Sequence, residues 1–325
     1  MKALQSIPQG FVHSEPWPAH PRVEVRSARS NDVLVPIGAA GARCWALNPY
    51  SGCEFACVGC RARSQVPFRD ADPRLFERDI HVRANAVEAV TRILKDGVLE
   101  RSPLVLGTSC DPWQPAEQKT QATRAVLDVL ARWGSVDLRA QTRSTLIPRD
   151  SDLLAAIARR GRVSVSFSIP TLDLRLSRLL EPLAPSPDRR LVSLETLARA
   201  GIRVGIIVAP VLHGISDSPQ MLERLLRRAR DAGASYATAL PLSMAPAARA
   251  RIVGFVSHFD PELATRYDML LSRGVESDQG FAGRLEGSFA EICHRLALHH
   301  APPTGSPRRS PQPDPGSAPR QLSLF

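Results

Sequence analysis

Short apolar stretches alternate along this chain with longer stretches in which apolar residues recur every three or four positions. The first pattern predicts buried strands, and the second predicts amphipathic helices. The predicted strands are residues 33–37, 43–47, 103–106, 136–141, 163–169, 204–209 and 236–240. The predicted helices are residues 82–94, 118–133, 150–159, 189–200, 220–232 and 289–298. The third helix begins at Asp150, a residue type that commonly caps helix N-termini.

Six predicted strands alternate with helices from residue 43 onward, which indicates an α/β domain. Strands that are joined through helices pair in parallel by right-handed crossovers. Six units, rather than eight, fit a partial (β/α)6 barrel of the TIM type, and the pattern alone also fits a doubly wound open sheet. In both folds the functional side chains lie in loops that follow the carboxyl ends of the strands.

The two ends of the chain differ in composition from its middle. Residues 1–40 carry scattered prolines and no apolar period, so we expect an extended N-terminal arm. Residues 301–325 contain seven prolines together with Ser, Gly and Arg, a composition that predicts a disordered tail. Residues 41–300 are therefore expected to form the folded core, with its last helices as a C-terminal cap.

The formal net charge of the chain is +10, which suits a polyanionic partner such as DNA. Nearly all of the positive charge is arginine, since lysine occurs only at positions 2, 95 and 119, and coding composition alone can produce that bias. The sequence has no run of about 18 apolar residues and no apolar leader segment. We therefore expect a cytoplasmic protein that does not bind a membrane.

Half of the six cysteines lie within eight residues, at Cys53, Cys57 and Cys60, with the spacing C-x3-C-x2-C. A loop that contains Gly52 and Gly59 can turn three thiolates toward one metal centre. Iron–sulfur clusters are normally held by four cysteines, so three cysteines leave one iron open to a substrate or cofactor. The spacing favours an iron–sulfur cluster.

A structural zinc site is the alternative for this loop, with Cys44 as its fourth ligand. Zinc sites are usually built from two separated C-x2-C pairs or from cysteine with histidine, and the sequence contains no second pair. A disulfide is disfavoured, because nothing marks the chain as secreted. Cys44 and Cys293 are expected to be structural residues.

The cysteine spacing resembles that of the radical S-adenosylmethionine superfamily. Over about residues 43–300, four stretches in chain order resemble its spore photoproduct lyase-like branch. They are Asn-Pro-Tyr-x-Gly-Cys-x-x-x-Cys (48–57), Gly-Thr-x-x-Asp-Pro-x-Gln-Pro (107–115), Glu-Pro-x-x-Pro-Ser-Pro-x-x-Arg (181–190) and Val-Ala-Pro-Val (208–211). The resemblance implies a partial barrel, a cluster held by the three cysteines, and S-adenosylmethionine as the source of a 5'-deoxyadenosyl radical. Gly59 departs from the superfamily, which usually has an aromatic residue there.

The resemblance also implies roles for residues outside the cysteine loop. In spore photoproduct lyases a cysteine near the position of Thr108 returns a hydrogen atom to the substrate radical. Cys110 is the candidate donor here, with a small buried core thiol as the alternative. Ser109 and Ser168 are expected near the cofactor. Arg143 stands where the relatives carry a lysine that contacts the cofactor, and a guanidinium group can bind the methionine carboxylate.

Glu181 and Arg190 match the third of these stretches, and we expect them to pair with each other and fix their loop. His213 follows the fifth predicted strand, where the relatives more often have proline, so no catalytic role is assigned to it. The remaining cysteines show no ligand spacing, so a second cluster is not expected.

The last five residues, Gln321 to Phe325, read Gln-Leu-Ser-Leu-Phe and resemble the peptide with which bacterial replication and repair proteins bind the DNA sliding clamp. Three apolar side chains on a flexible tether suit an apolar pocket on such a partner. Together with the lyase resemblance and the basic charge, this favours a DNA repair-like lyase. Such an enzyme would act on damaged or modified nucleic acid, with an electron donor such as flavodoxin or ferredoxin.

Two other functions stay open at this point. One is radical modification of RNA or of a small molecule, in which the terminal peptide plays no part. The other is a zinc-stabilised adaptor of the sliding clamp that has no enzyme activity.

Overall fold

The computed structural model describes residues 23–38, 44–64, 75–100, 102–242, 249–257, 259–272 and 279–300. Its strands are β1 (Glu24–Ala28), β2 (Leu34–Ile37), β3 (Cys44–Leu47), β4 (Tyr50–Ser51), β5 (Asp79–Arg83), β6 (Leu104–Leu106), β7 (Asp137–Thr142), β8 (Arg162–Ser168), β9 (Arg203–Val211), β10 (Tyr236–Pro241) and β11 (His299–His300).

The α-helices are α1 (Leu75–Arg78), α2 (Ala86–Lys95), α3 (Glu117–Thr120), α4 (Ala122–Arg132), α5 (Ser151–Ala158), α6 (Leu174–Leu180), α7 (Pro187–Arg199), α8 (Pro219–Asp231), α9 (Arg249–Ser257), α10 (Pro261–Ser272) and α11 (Gln279–Arg295). Within the described residues, none of these helices combines the length and the apolar character that crossing a membrane requires.

Six parallel strands, taken in chain order, form the centre of the main sheet. β3, β6, β7, β8, β9 and β10 each pair with the next, while β2 is antiparallel to β3 at one edge and β11 is parallel to β10 at the other. The strand order does not reverse, so the sheet lacks the switch point that defines a doubly wound fold. Among the described strands β2 and β11 do not pair, so the sheet stays open. The predicted partial (β/α)6 barrel is confirmed.

A second sheet of three strands has the order β1–β5–β4. It corrects the start of the helix predicted at 82–94. Val82 lies in β5, where it pairs with Ser27 on one side and Tyr50 on the other, and α2 begins only at Ala86. The partners of Val82 are distant along the chain, so a local apolar period does not reveal them.

The helix predicted over residues 118–133 is divided in two at Gln121, whose φ of 52° is left-handed. The buried carboxylate of Glu117 accepts the backbone N–H groups of Thr123 at 2.9 Å and Arg124 at 3.1 Å. A carboxylate in that position satisfies amides that the first turn of α4 leaves without helical partners. The side chain that stabilises the start of α4 therefore comes from α3.

Asp150 precedes α5, but its side chain does not cap that helix, so this prediction was wrong. Its buried carboxylate instead accepts hydrogen bonds from Trp113 Nε1 at 2.9 Å and Arg124 Nη1 at 2.7 Å. The group that sequence reasoning placed at a helix end thus fixes the position of a buried tryptophan.

The other predicted strands and helices are present with ends shifted by one or two residues, except the last helix. The stretch predicted at 289–298 overlaps the end of a longer α11, which begins at Gln279 and ends at Arg295, three residues before the predicted end. The sequence pattern did not predict α1, α6, α9 or α10.

The two faces of the main sheet carry different side chains. Along β7, Leu138 and Ala140 belong to a hydrophobic core that includes the helix residues Leu127 and Leu154. Arg139 and its neighbours on the opposite face are only half-buried. Helices therefore cover the outer face, and the inner face is available to ligands.

Candidate active site

A cavity of about 270 Å³ lies where the parallel strands end at their carboxyl termini. The turn after β6, the turn after β7 and the ends of β8 and β9 all contribute to its walls. The lining includes every residue that the sequence analysis proposed as a cluster ligand, a cofactor contact or the hydrogen donor: Cys53, Cys57, Cys60, Ser109, Cys110, Arg143 and Ser168. The fold thus brings together side chains that are up to 115 positions apart in the sequence.

Backbone contacts hold the cysteine loop in place over this cavity. Gly52 has a φ of +84°, and a Cβ there would lie 2.8 Å from the carbonyl oxygen of Asp79, so only glycine fits. The Cys53 N–H donates to the carbonyl of Phe76 at 2.8 Å, and the Val58 N–H donates to a carbonyl at the end of α6 at 2.9 Å. The loop is therefore fixed against two separate helices.

Burial dominates the electrostatics of the thiols. It raises the pKa of Cys57 to about 12, although the nearby Arg143 guanidinium acts in the opposite direction. Burial also holds the pKa of Cys53 well above its ordinary value. Metal ligands must be thiolates, so binding of a metal centre by these cysteines would release protons.

The zinc site considered from the sequence would need Cys44 as its fourth ligand, and Cys44 does not line the cavity with Cys53, Cys57 and Cys60. A zinc ion needs four ligands around one point, whereas a four-iron four-sulfur cluster spreads its cysteines over separate irons. Cys44 lies at the amino end of β3, three residues and about 10 Å from the end that faces the cavity. The three clustered cysteines fit a cluster.

Asn48 holds the turn that carries Cys110. Its Oδ1 accepts the N–H groups of Thr108 at 3.1 Å and Ser109 at 2.9 Å, and its Nδ2 donates to Thr108 Oγ1 at 2.9 Å. Cys110 Sγ lies 3.9 Å from the same Oδ1. Sequence reasoning placed Cys110 by continuing the strand, but β6 ends before Gly107, which begins a turn with a φ of +96°. This turn brings Cys110 to the cavity.

Asp111 joins this turn to the next one along the sheet. Its buried carboxylate accepts hydrogen bonds from Thr142 Oγ1 at 2.8 Å, from the Arg143 N–H at 2.6 Å and from the Trp113 N–H at 3.0 Å. Burial raises the pKa of Asp111, and these hydrogen bonds offset only part of that effect. The backbone of Arg143 is therefore fixed from the neighbouring strand.

Glu181 lies between two arginines. Its Oε1 accepts a hydrogen bond from Arg143 Nε at 2.5 Å. Its Oε2 is 2.5 Å from Arg190 Nη1, an ion pair whose alignment is not that of a hydrogen bond. Arg190 also donates to the carbonyls of Ser168 at 2.7 Å and Pro185 at 2.8 Å. The expected pairing of Glu181 with Arg190 is present, and the contact to Arg143 is an addition that the sequence did not suggest.

The Ser168 hydroxyl is buried and has no hydrogen-bond partner among the described residues. A buried hydroxyl without a partner costs about 1–3 kcal/mol. Because Ser168 lines the cavity, a polar ligand there can supply the partner. This hydroxyl, together with the three thiols, fits a site for a cluster and a polar cofactor.

Comparison with known proteins shows where this chain belongs. No family model matches it. An uncharacterised protein of Mycobacterium tuberculosis is 31% identical over 330 residues, which cover 100% of this chain and 94% of that protein. The chain belongs to the same family as this mycobacterial protein.

Solved structures show the fold. A spore photoproduct lyase complexed with dinucleoside spore photoproduct superposes with a TM-score of 0.64 at 14% identity, over 85% of this chain and 81% of that chain. This chain has the radical S-adenosylmethionine fold of spore photoproduct lyase. SuiB of Streptococcus suis, bound to precursor peptide SuiA, superposes with a TM-score of 0.50 at 13% identity, over 87% of this chain and 49% of SuiB.

Two stretches of this radical S-adenosylmethionine fold bind each other, which sequence reasoning missed. Tyr50 Oη hydrogen-bonds to the Glu117 carboxylate. Glu54 Oε1 accepts the Ala116 N–H at 2.6 Å, and the Glu54 N–H donates to Gln114 Oε1 at 3.0 Å. Part of the signal was available, because Tyr50, Glu54 and Gln114 are polar residues inside two of the four stretches that the sequence analysis singled out.

Gly59 lines the cavity at the position where the superfamily usually has an aromatic residue. A Cβ at Gly59 would be 3.4 Å from Leu242 Cδ1 and 3.9 Å from Pro210 Cγ. Apolar side chains from the ends of β9 and β10 thus approach this side of the loop.

Proposed function

We propose that this chain is a radical S-adenosylmethionine enzyme that acts on a damaged or modified base in nucleic acid. The observation that carries the proposal is the cavity at the strand ends, which three cysteines line together with Cys110, Arg143 and a buried hydroxyl that has no partner among the described residues. The likeness to a lyase fold supports the class of chemistry.

The cavity offers a separate group for each part of the cofactor. Cys53, Cys57 and Cys60 would hold a four-iron four-sulfur cluster. When bound, this cluster supplies the electron that cleaves S-adenosylmethionine to a 5'-deoxyadenosyl radical. Arg143 would bind the methionine carboxylate through the guanidinium nitrogens that Glu181 leaves available, since Glu181 contacts only Nε. The Ser168 hydroxyl would donate a hydrogen bond to an acceptor on the same cofactor.

Cys110 and Ser109 would face the substrate side of the cavity. Burial raises the pKa of the Cys110 thiol to about 12, so its sulfur keeps its hydrogen at neutral pH, as a hydrogen-atom donor requires. Asn48 fixes the turn that carries both residues. Cys110 would return a hydrogen atom to a substrate radical, and Ser109 would bind a polar group of the substrate or cofactor.

Two features support nucleic acid as the substrate. One neighbour of the same fold is a spore photoproduct lyase in complex with a dinucleoside lesion. The chain carries a net charge of +10, which favours a polyanion. A lesion inside a duplex would have to leave the base stack to reach a cavity at the strand ends.

Anaerobic reconstitution with iron and sulfide tests the proposal. We expect a brown protein that contains iron and that, with a strong reductant, converts S-adenosylmethionine to 5'-deoxyadenosine. Irradiated DNA should raise the rate of this conversion and yield a repaired product, whereas intact DNA of the same sequence should not. Protein that contains zinc and no iron would contradict the radical chemistry, and stimulation by RNA alone would contradict the DNA substrate.

The terminal peptide at residues 321–325 lies outside the described residues. We propose that it binds the DNA sliding clamp and thereby brings the enzyme to DNA. A variant without these five residues should lose binding to the purified clamp while it keeps full cleavage of S-adenosylmethionine. If the truncated chain binds the clamp as tightly as the full chain, this peptide is not the clamp ligand.

A further inference from the structure

A second cavity, of about 560 Å³, lies on the inner face of the sheet nearer the amino ends of the strands. Gln141 and Ile207 line both cavities, so the two adjoin along β7 and β9. Barrel interiors at this level are usually filled by branched apolar side chains. Here polar and charged side chains line the space: Asp137, Arg139, Arg162, Ser164, Ser166, Arg203 and Thr238.

Two arginines stand at one level of this cavity. Arg139 on β7 pairs in register with Ser164 on β8, and Ser164 pairs in register with Arg203 on β9. Adjacent strands are about 4.8 Å apart, so the Cα atoms of the two arginines are about 10 Å apart. We call Arg139, Ser164 and Arg203 the arginine row. Two long arginine side chains whose Cα atoms are this far apart can both reach one small anion between them.

The positive charge of the second cavity is not balanced by its own residues. Asp137 is the carboxylate that lines it, against three arginines. Its Oδ2 accepts hydrogen bonds from Arg139 Nη2 at 2.9 Å and from Arg162 Nη2 at 3.0 Å. Arg203 forms no ion pair within the described part of the chain. The lining therefore carries two positive charges more than negative ones.

An aromatic side chain holds Arg203 in position. The guanidinium carbon lies 4.8 Å from the ring centre of Tyr236, and Tyr236 Oη is 2.8 Å from Ser166 Oγ. The ring crosses β9 at Gly205, where a Cβ would lie 2.5 Å from ring atoms and 2.4 Å from the Tyr236 carbonyl oxygen. Glycine weakens a strand interior and often marks such a close approach. An arginine held on a ring loses little freedom when it binds a ligand.

We propose that the arginine row binds the phosphate group of a small phosphorylated ligand. The planar guanidinium fork matches phosphate oxygens, which is why arginine predominates in phosphate recognition. The cavity volume falls within the range of about 300–1,000 Å³ that is typical of small-molecule sites. Arg139 lies four residues, or about 13 Å, before Arg143, so a ligand held there extends toward the cysteine-lined cavity. The proposal concerns binding and does not depend on radical chemistry.

Calorimetric titration of the full-length, anaerobically prepared protein tests this site, with adenosine 5'-monophosphate and adenosine as matched probes. We expect the nucleotide to bind with a stoichiometry of one and the nucleoside to bind about tenfold more weakly or worse, because only the nucleotide carries the charged oxygens. Arg203→Ala and Arg139→Gln should each weaken nucleotide binding about tenfold. Inorganic phosphate should compete with the nucleotide.

Arg92→Ala is the matched control, because it removes the same charge from an exposed position on α2 and should leave binding unchanged. Arg139→Gln gives an independent reading if Arg203→Ala does not fold. An oligonucleotide with and without a 5'-phosphate then distinguishes a nucleic-acid end from a free nucleotide as the source of the phosphate. Equal binding of nucleotide and nucleoside, or an equal loss in Arg92→Ala, would overturn the proposal. So would full nucleotide binding by both arginine-row variants.

Discussion

Replacing Glu181 tests the buried ion pair that it forms with Arg190 beside the candidate active site. Both members of the pair are almost fully buried, with side-chain exposures of 1% for Glu181 and 0% for Arg190. Replacing Glu181 by glutamine keeps the shape of the side chain but leaves the Arg190 charge buried without its counter-charge. Arg190 also fixes the Ser168 carbonyl, so we expect the loss to disturb the site as well as the fold.

The expected size of the effect follows from burial. Removing one partner of a buried ion pair typically costs about 3–5 kcal/mol. An unfolding entropy of about 2.1 cal/mol/K per residue gives a chain of this length about 0.7 kcal/mol/K. The Tm of Glu181→Gln should therefore fall by about 4–7 °C. Thermal unfolding of anaerobic protein, followed by circular dichroism, measures this shift.

Glu195→Gln provides the control for the Glu181 variant. Glu195 forms an exposed pair with Arg199, one helical turn away, at 2.5 Å. Exposed pairs are worth about 0.3–0.5 kcal/mol, so the Tm of the control should move by less than about 1 °C. If the Tm of Glu181→Gln also falls by less than about 1 °C, loss of the buried counter-charge of Arg190 does not destabilise this protein, and the argument from burial is wrong.

Other residues give shorter tests. Cys57→Ala should lose the iron content of the anaerobic protein and the cleavage of S-adenosylmethionine, whereas Cys44→Ala should keep both. Cys110→Ala should cleave the cofactor at the normal rate but change the products made from the nucleic-acid substrate, which mass spectrometry can detect. If the products are unchanged, Cys110 is a packing residue and not a hydrogen donor. Asn48→Ala leaves two backbone amides without acceptors and should destabilise the fold by about 2–5 kcal/mol in urea unfolding, several times the effect of Thr108→Val. Burial raises the pKa of Cys110 from 9.0 to about 12, so this thiol favours the folded state fully below pH 9.0, and its contribution falls as the pH rises toward 12. Cys110→Ala should lose less stability than the natural chain across that window.

The fold was readable from the sequence because the helices cover only one face of the sheet. Short apolar strands followed by amphipathic helices predict parallel pairing, and six such units predict an open barrel. The placement of functional residues followed from the same rule, since Ser168 ends β8 and Arg143 directly follows β7. Periodicity and strand polarity are local properties, and a sequence displays them directly.

Contacts between distant polar residues were not readable in this way. Asp150 looked like a helix cap, and only the fold shows that it binds Trp113 instead. Glu181 was expected to pair with Arg190, but its second contact with Arg143 depends on how α6 meets the end of β7. The short sheet that contains Val82 was missed because both of its ladder partners come from other parts of the chain. A single sequence does not identify which distant polar group meets which.

The alternation along β7 explains how one strand serves two cavities. Arg139 and Gln141 point to the inner face, while Leu138 and Ala140 point into the core. A shift of one residue in the pairing of β7 would exchange these faces and bury the Arg139 charge in the core. The register that keeps Arg139 out of the core is therefore the same register that places Gln141 between the cavities and Arg143 at the candidate active site. A variant in which β7 slips by one residue should lose the stable sheet and the candidate site together.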